Sequence, residues 1–408
     1  MNRTCDLFVV GAGPAGATAA RVAAEAGLSV ALIDRHRFPR DKVCGGLLSR
    51  RAQRALGCAP PPSLVHASPR GIRLVSECGH EILARAREPV GQMVTRSEFD
   101  AYLLERAISA GARFYPATMI GGLSGGPDGR VAVETTAGTW NAGHVIGADG
   151  AFSTTGLLAG IRRGWSDWEH GFGLSLAVPT GAPGTEQVGD AVELHLQPVF
   201  CGLGWVFPLR NGVTVGLAGL AVERYQVALQ FDRFLRFVLG RLRLPAPQAR
   251  PRAWYLPAGG RSRRIARGRV LLAGDAAGLV DPLAGEGLHA ALTSGRLAAE
   301  AVVSAAASPA GVGAAAQAYT EAVRREFLRD QRAAAALAFI LGRKGPFVFD
   351  ILRHNPALTD HLLAAMTDGN RWSAALRDAL LNWPLYCLTA LLASHRNANE
   401  QVIFERQE

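Results

Sequence analysis

Cys5-Asp6-Leu7-Phe8-Val9-Val10-Gly11-Ala12-Gly13-Pro14-Ala15-Gly16 runs an apolar strand straight into G-x-G-x-x-G and an alanine-rich helix. That order specifies a dinucleotide site. Gly11 permits the tight strand-to-helix turn, Gly13 lets backbone approach a pyrophosphate, and Gly16 lets helix and strand pack closely, while the helix N-terminus offers free N–H groups and a positive dipole end. A second apolar run, Leu28-Ser29-Val30-Ala31-Leu32-Ile33, ends at Asp34, where a carboxylate can accept from ribose hydroxyls. Gly11, Gly13, Ala15, Gly16, Asp34 and Arg35 are therefore candidate cofactor ligands.

The 408 residues suffice for two or three packed units, and a 49% hydrophobic content excludes disorder. Lys and Arg outnumber Asp and Glu by 44 to 34, which suits a nucleic acid, an anionic membrane surface or an anionic cofactor, although a composition bias spread over the whole chain is the stronger explanation. No nucleic-acid module is recognisable, so no nucleic-acid partner is expected. The six cysteines contain no C-x-x-C pair, so neither a metal site nor a disulfide framework is expected, and a reducing cytoplasm fits. No leader is expected before the first strand, and no uncharged apolar stretch reaches membrane-spanning length.

Further along, Phe38 to Gly46 reads as a loop opening a helix over Leu47 to Leu56, stopped by Pro60 to Pro62. Residues 71 to 85 alternate around Cys78-Gly79 as a hairpin. Ser97 and Asp100 suggest a capping box, with Phe99, Leu103 and Ala107 on one helix face until Gly111. A second hairpin brackets Ala137-Gly138 and runs into Gly147-Ala148-Asp149-Gly150. Between Gly171 and Gly219 the period changes to two: Val192, Leu194 and Leu196 alternate with Glu193, His195 and Gln197, predicting a half-exposed antiparallel sheet. Residues 225 to 240 read as helix, and Val270-Leu271-Leu272-Ala273-Gly274-Asp275 as a buried strand returning to the first unit, before a helix from about Gly287 to Ala307. Leu380, Leu381, Leu385, Leu388, Leu391 and Leu392 mark an apolar face in a helical C-terminal region. No second G-x-G-x-x-G unit occurs, so a second permanent dinucleotide site is not expected.

Gly274-Asp275-Ala276-Ala277-Gly278, followed by Val280 to Gly287 and a helix, resembles the second flavin fingerprint of flavoproteins related to p-hydroxybenzoate hydroxylase. The resemblance implies FAD, with Asp275 on a ribityl hydroxyl and the next helix pointing its N-terminus at the flavin pyrimidine. Within that superfamily the chain is similar to the geranylgeranyl reductases. Lys42-Val43-Cys44-Gly45-Gly46 matches their K-x-C-G-G loop, Gly204 to Pro208 most of their Y-x-W-x-F-P motif, and Pro282 to Gly287 their P-x-x-G-E-G turn. Two departures stand out: Leu203 replaces the motif's Tyr, and Gly156 follows Asp149-Gly150-x-x-Ser153 where an Arg is usual.

The resemblance adds Cys44, Gly45, Arg96, Asp149, Asp275, Pro282, Gly285, Gly287 and Leu288 to the cofactor set, and Trp205, Phe207 and Pro208 as substrate contacts. Cys44 is also the candidate catalytic residue, while buried packing is its bland alternative. Trp205 and Phe207 read equally as a substrate grip or as sheet core. Arg96 reads as a cofactor contact or as a solvated arginine. The expected fold class is α/β (α+β overall), with a discontinuous Rossmann-like FAD-binding domain (1-70, 91-160 and 255-335), an antiparallel-sheet substrate domain (71-90 and 161-254) and a helical C-terminus (336-408).

The expected activity is hydride transfer from the flavin to an isoprenoid or similarly apolar C=C, with NAD(P)H or a protein donor as transient electron source. Oxygen chemistry on the same cofactor, in a monooxygenase or halogenase, is the alternative, and a non-catalytic FAD-binding redox protein is a third. The partners expected are a lipid-like small molecule and, through the C-terminal leucines, peripheral contact at the inner face of a membrane. Packing of those leucines on the protein or on a second subunit explains them equally.

Overall fold

A computed structural model describes residues 3–196, 199–261, 263–307, 313–367, 371–394 and 402–405. In chain order the first half contains β1 (Arg3–Val10), α1 (Pro14–Glu25), β2 (Val30–Ile33), β3 (Leu47–Ser49), α2 (Arg50–Leu56), β4 (Gly71–Val75), β5 (Glu81–Arg85), β6 (Gly91–Met93), α3 (Arg96–Ser109), β7 (Arg113–Tyr115), β8 (Ile120–Gly125), β9 (Val131–Thr135), β10 (Gly138–Gly147) and α4 (Thr154–Leu158). There follow β11 (His170–Pro179), α5 (Gly184–Val188), β12 (Ala191–Leu196), β13 (Leu203–Leu209), β14 (Gly212–Leu220), α6 (Arg224–Arg241), β15 (Arg252–Pro257), β16 (Ala266–Arg267), β17 (Val270–Leu272) and α7 (Leu288–Ala306). A C-terminal set closes the chain: α8 (Ala314–Val323), α9 (Arg329–His354), α10 (Pro356–Thr367), α11 (Trp372–Leu381), α12 (Trp383–Ser394) and β18 (Val402–Glu405).

The first sheet has the order β16-β17-β10-β1-β2-β7, with the β8-β9 hairpin joined to β10 through β9. β1 pairs in parallel with both β2 and β10, and β10 with β17. Every residue of β2 is buried, as the continuous apolar run of an interior parallel strand requires. Because the chain leaves β1 for β2 on one side and reaches β10 on the other, a crevice opens at the carboxyl end of β1, where ligands of such sheets bind. α1 and α7 pack against each other over this sheet.

The second sheet has the order β15-β11-β14-β13-β12-β4-β5-β18, antiparallel except where β12 meets β4 and β5 meets β18. β15 belongs here, so the return to the first sheet starts at β16. The sheet is not half exposed: α6 lays Val227, Phe231, Phe234 and Val238 across one face, and the C-terminal helices cover much of the other. Glu193 and His195, polar by alternation, are consequently 1% and 5% exposed. They survive there by pairing: Glu193 bonds Arg241, lies 3.5 Å from Arg73 Nε and 3.4 Å from His195 Nε2. Burial works against the Glu193 charge, yet His195 and Arg241 hold its carboxyl below the ordinary range. Gln197 lies outside the described residues.

Two local expectations change. Leu47–Ser49 pairs with β6, so the helix starts only at Arg50, where Ser49 Oγ accepts the Ala52 N–H at 3.2 Å; it ends at Gly57, whose φ of 75° makes the left-handed cap, before the prolines. The cap position of α3 is Thr95, not Ser97, and Asp100 is occupied by two arginines instead. α9 bends at Lys344, two residues before Pro346, which cannot donate to the helical ladder. At the α11–α12 corner Leu380, Leu381 and Leu385 are exposed, whereas the side chains of Leu388, Leu391 and Leu392 lie outside the described residues.

Candidate functional site

A cavity of about 670 Å³ runs from the carboxyl end of β1 to the face of the second sheet. Its floor is the glycine turn. Gly11 has φ of 98°, and a Cβ there would meet the Ala148 carbonyl oxygen at 2.4 Å; a Cβ on Gly16 would lie 1.8 Å from the Gly11 oxygen. Gly16 therefore holds helix to strand and does not reach the cavity wall, whereas Gly11, Gly13 and Ala15 line it. α1 begins with Pro14 and has no side-chain cap, so its first N–H groups face the space beside Gly13.

Asp34 is buried and accepts from the N–H groups of Ala12 and His36, both at 2.8 Å, which fixes its carboxylate at the end of β2. Exposed Arg35 lies at the rim, donating from Nε to His36 at 3.1 Å. Asp149 compensates for the missing arginine locally: its carboxylate takes Ser153 Oγ at 2.5 Å and the N–H and hydroxyl of Thr155 at 2.9 Å each. Burial still pushes its carboxyl up. Asp275 differs from both, because among the described residues no hydrogen bond reaches its side-chain oxygens. Its Oδ1 lies 3.5 Å from a Cβ built on Gly287, beside the uncapped N-terminus of α7.

Arg96 is inside the protein. It grips fully buried Asp100 through Nε and Nη2 at 2.7 and 2.8 Å, and Arg40 reaches the same carboxylate at 3.2 Å. Arg40 Nη2 is also 3.3 Å from a Cβ built on Gly13, so the anchored arginine borders the phosphate-sized space over the turn. Lys42 lies 4.4 Å over the Trp254 ring. Burial lowers its ammonium to about 8, against the pull of Asp275. Between that value and an ordinary lysine near 10.5 the unfolded chain holds the extra proton, so stability rises with pH across this window. Urea unfolding of flavin-free protein at pH 7, 8.5 and 10 should show that rise, and Lys42→Met should flatten it.

Cys44 lines the cavity, its Sγ accepting the Gly46 N–H at 3.4 Å. A Cβ on Gly45 would stand 2.9 Å from the Phe207 ring and 3.2 Å from Trp205 Nε1, so this loop passes flat against the aromatic strand. Trp205 and Phe207 project from the same face of β13 with ring centres 6.4 Å apart, and both border the cavity. The Trp205 indole lies across Gly216, where a Cβ would come within 1.9 Å of it. Leu203 supplies an apolar wall where the motif has a phenol. Pro208 is buried outside that wall.

The turn after Val280 is braced by residues that no local pattern marks. Asp281 Oδ1 accepts the N–H groups of Leu283 and Ala284 at 2.9 and 2.8 Å, while Oδ2 takes Trp372 Nε1 at 2.7 Å and Arg51 at 3.1 Å. Arg51 Nε binds Glu286 at 2.5 Å, and Ser49 bonds the same carboxylate. Pro282, Gly285, Gly287 and Leu288 are thereby held along the cavity.

These features fit FAD: two uncapped helix N-termini on one cavity, a glycine turn that a side chain would fill, and an Asp275 carboxylate with free acceptors. A family model for the FAD binding domain matches residues 4–170. Menaquinone reductase of Mycolicibacterium smegmatis is 32% identical over 359 residues, spanning 84% of this chain and 85% of that protein. The chloroplastic geranylgeranyl diphosphate reductase of Arabidopsis thaliana is 30% identical, over 74% of this chain and 66% of its own. The chain belongs to the geranylgeranyl reductase family of FAD-dependent oxidoreductases. A geranylgeranyl bacteriochlorophyll reductase-like structure from Thermoplasma acidophilum superimposes with a TM-score of 0.80 at 22% identity, covering 97% of this chain and 100% of that one, which establishes the shared fold. As a member of this family the protein is an FAD-dependent enzyme.

Proposed function

We propose that this oxidoreductase reduces C=C bonds of an isoprenoid or similarly apolar substrate. The carrying observation is the apolar second-sheet side of the cavity: Ile72, Val192, Leu194, Leu203, Trp205 and Phe207 border the same cavity as Cys44, whose neighbour Gly45 lies against the Trp205 and Phe207 rings. Such a surface holds an alkene by shape and keeps water out. The names of the menaquinone and geranylgeranyl diphosphate reductases support the same substrate class.

When bound and reduced by NAD(P)H or a protein donor, FAD would supply a hydride, that is, the electron pair together with one of the two hydrogens that saturate the double bond. Gly13, the α1 N-terminus and Arg40 would hold its pyrophosphate, Asp34 its ribose, and Asp275 its ribityl chain, with Gly285 to Leu288 against the ring. Trp205 and Phe207 orient the alkene, and Cys44 or water delivers the proton that completes reduction. Because the substrate partitions into lipid, peripheral membrane contact belongs to the same reading.

Photoreduced holoenzyme, mixed under argon with prenyl alkenes, should reoxidise and yield the saturated product. Stability under argon combined with oxygen-dependent hydroxylation or halogenation would overturn the reductase reading. Cys44→Ser should keep FAD and lose about a hundredfold in turnover, the lower end of the range for a general acid; an unchanged rate assigns the proton to water.

A further inference from the structure

Six of the large apolar side chains exposed on this protein come from one stretch of the C-terminal helices: Phe339 and Phe347 on α9, Leu380 and Leu381 at the end of α11, and Trp383 and Leu385 at the start of α12. Leu380, Leu381 and Leu385 are 66%, 74% and 56% exposed, too open to be core side chains at the edge of a cluster. The Trp383 ring packs 6.1 Å from Phe347, joining the α11–α12 corner to α9 in one patch. Phe339, Arg343 and Phe347 recur every four residues and so follow one side of α9 toward that corner.

The exposed charges at this patch are cations, with Asp350 and Asp378 half-buried beside them. Arg343, Lys344 and Arg377 are exposed, one helical turn from Phe347 or Leu381, and among the described residues none has a carboxylate partner. Arg343 stacks on Phe339, 5.1 Å from the ring centre. The half-buried acids beside it are bonded within the helices: Asp350 with His354, and Asp378 with His361, Tyr386 and Asn382. Exposed leucine and aromatic side chains interleaved with unpaired cations match the interfacial zone of an anionic bilayer, whose acyl region accepts the former and whose phosphates pair the latter. No helix among the described residues is long and apolar enough to cross a membrane, so the match is to lying on a surface.

The same helix lies against the reaction cavity. A void of about 30 Å³, room for roughly one water, is bordered by Ala338 and Gly342 of α9 and by Cys201, Leu203 and Leu283, which also line the large cavity. A Cβ on Gly342 would sit 2.7 Å from Cys201 Sγ, so α9 crosses this wall at close contact. Ala338 and Gly342 directly precede Phe339 and Arg343 in the chain.

We propose that the α9 and α11–α12 patch docks on an anionic phospholipid bilayer and presents the Cys201–Leu203–Leu283 side of the cavity to lipid-dissolved substrate. The proposal rests on an apolar substrate, but its test requires no turnover. Full-length holoenzyme is floated with phosphatidylcholine vesicles and with vesicles containing 30% phosphatidylglycerol, a composition on the order of natural anionic surfaces. Wild type should rise with the anionic vesicles and be released by salt.

The triple variant Phe347→Ser, Leu381→Ser, Leu385→Ser and the charge variant Arg343→Glu, Lys344→Glu, Arg377→Glu should each lose roughly tenfold or more in the floated fraction, while retaining FAD and activity on a detergent-dispersed short-chain substrate. Wild type remaining at the bottom, or both variants floating like wild type, overturns docking. A wild-type dimer that the serine variant converts to monomer also overturns it, assigning the patch to a second copy of the chain. Flotation without alkene reduction would leave docking standing and remove the reductase reading.

Discussion

A Gly13→Leu variant should fold and purify without its yellow colour. The position has no backbone conflict: φ is ordinary, and the first atom of a side chain would meet only the end of Arg40 at 3.3 Å. The remaining carbons, however, occupy the space above the α1 N-terminus where a pyrophosphate must approach main-chain N–H groups. Overfilling such a site costs about 3 kcal/mol, roughly a hundredfold in FAD affinity. Gly16→Leu should behave differently, because its Cβ would lie 1.8 Å from the Gly11 carbonyl oxygen, and backbone has to move. That variant should lose cooperative unfolding as well as flavin. Absorbance at the flavin band together with circular dichroism separates the two. Full flavin content in folded Gly13→Leu would place the pyrophosphate elsewhere.

The contrast between these glycines follows from how much of the molecule is encoded locally. Strand, turn and helix over Cys5 to Gly16 lie within a dozen residues, and the clash that fixes Gly16 is with Gly11 five positions away, so the pattern can be read directly even though Gly11 also abuts Ala148 across the sheet. The Asp275 turn is legible on the same grounds. Period-two alternation at Val192 to Leu196 correctly separates two faces, yet alternation says nothing about what lands on the second one. α6 buries Glu193 and His195, and their partners Arg241 and Arg73 are 48 and 120 positions from Glu193.

Asp100 illustrates the opposite error. Three residues after a serine, it satisfies a local capping pattern, but a fully buried carboxylate between Arg40 and Arg96 is worth more to the fold than a solvent-facing cap. The residues that brace the Pro282 to Gly287 turn, Arg51 and Trp372, are separated from Asp281 by 230 and 91 positions, and no local rule pairs them. β18, which extends the second sheet beside β5, likewise depends on a partner strand far away in sequence.

That brace carries the second large expected effect. Arg51 neutralises both Asp281 and Glu286, and Arg51→Met leaves two buried carboxylates without a cation while nearly preserving side-chain volume. Breaking a buried pair in this way costs about 3–5 kcal/mol, most of it the uncompensated charge left behind. The pH dependence identifies the cause. Burial already raises the Glu286 carboxyl, with Arg51 opposing the rise, so removing Arg51 drives it higher still.

The folded variant then binds more protons than the unfolded chain from the ordinary carboxylate range up to that raised value, and stability falls as pH climbs through the window. Arg51→Met should therefore be nearest to wild type in mild acid and weakest above neutrality, and Arg51→Met with Glu286→Gln should recover part of the loss at high pH. Trp372→Phe, which removes only the indole N–H from Asp281, should cost about 1–2 kcal/mol with little pH dependence. A flat profile for Arg51→Met would mean that the turn is held by packing of Trp372 and its neighbours, and that the ion cluster contributes little to its position.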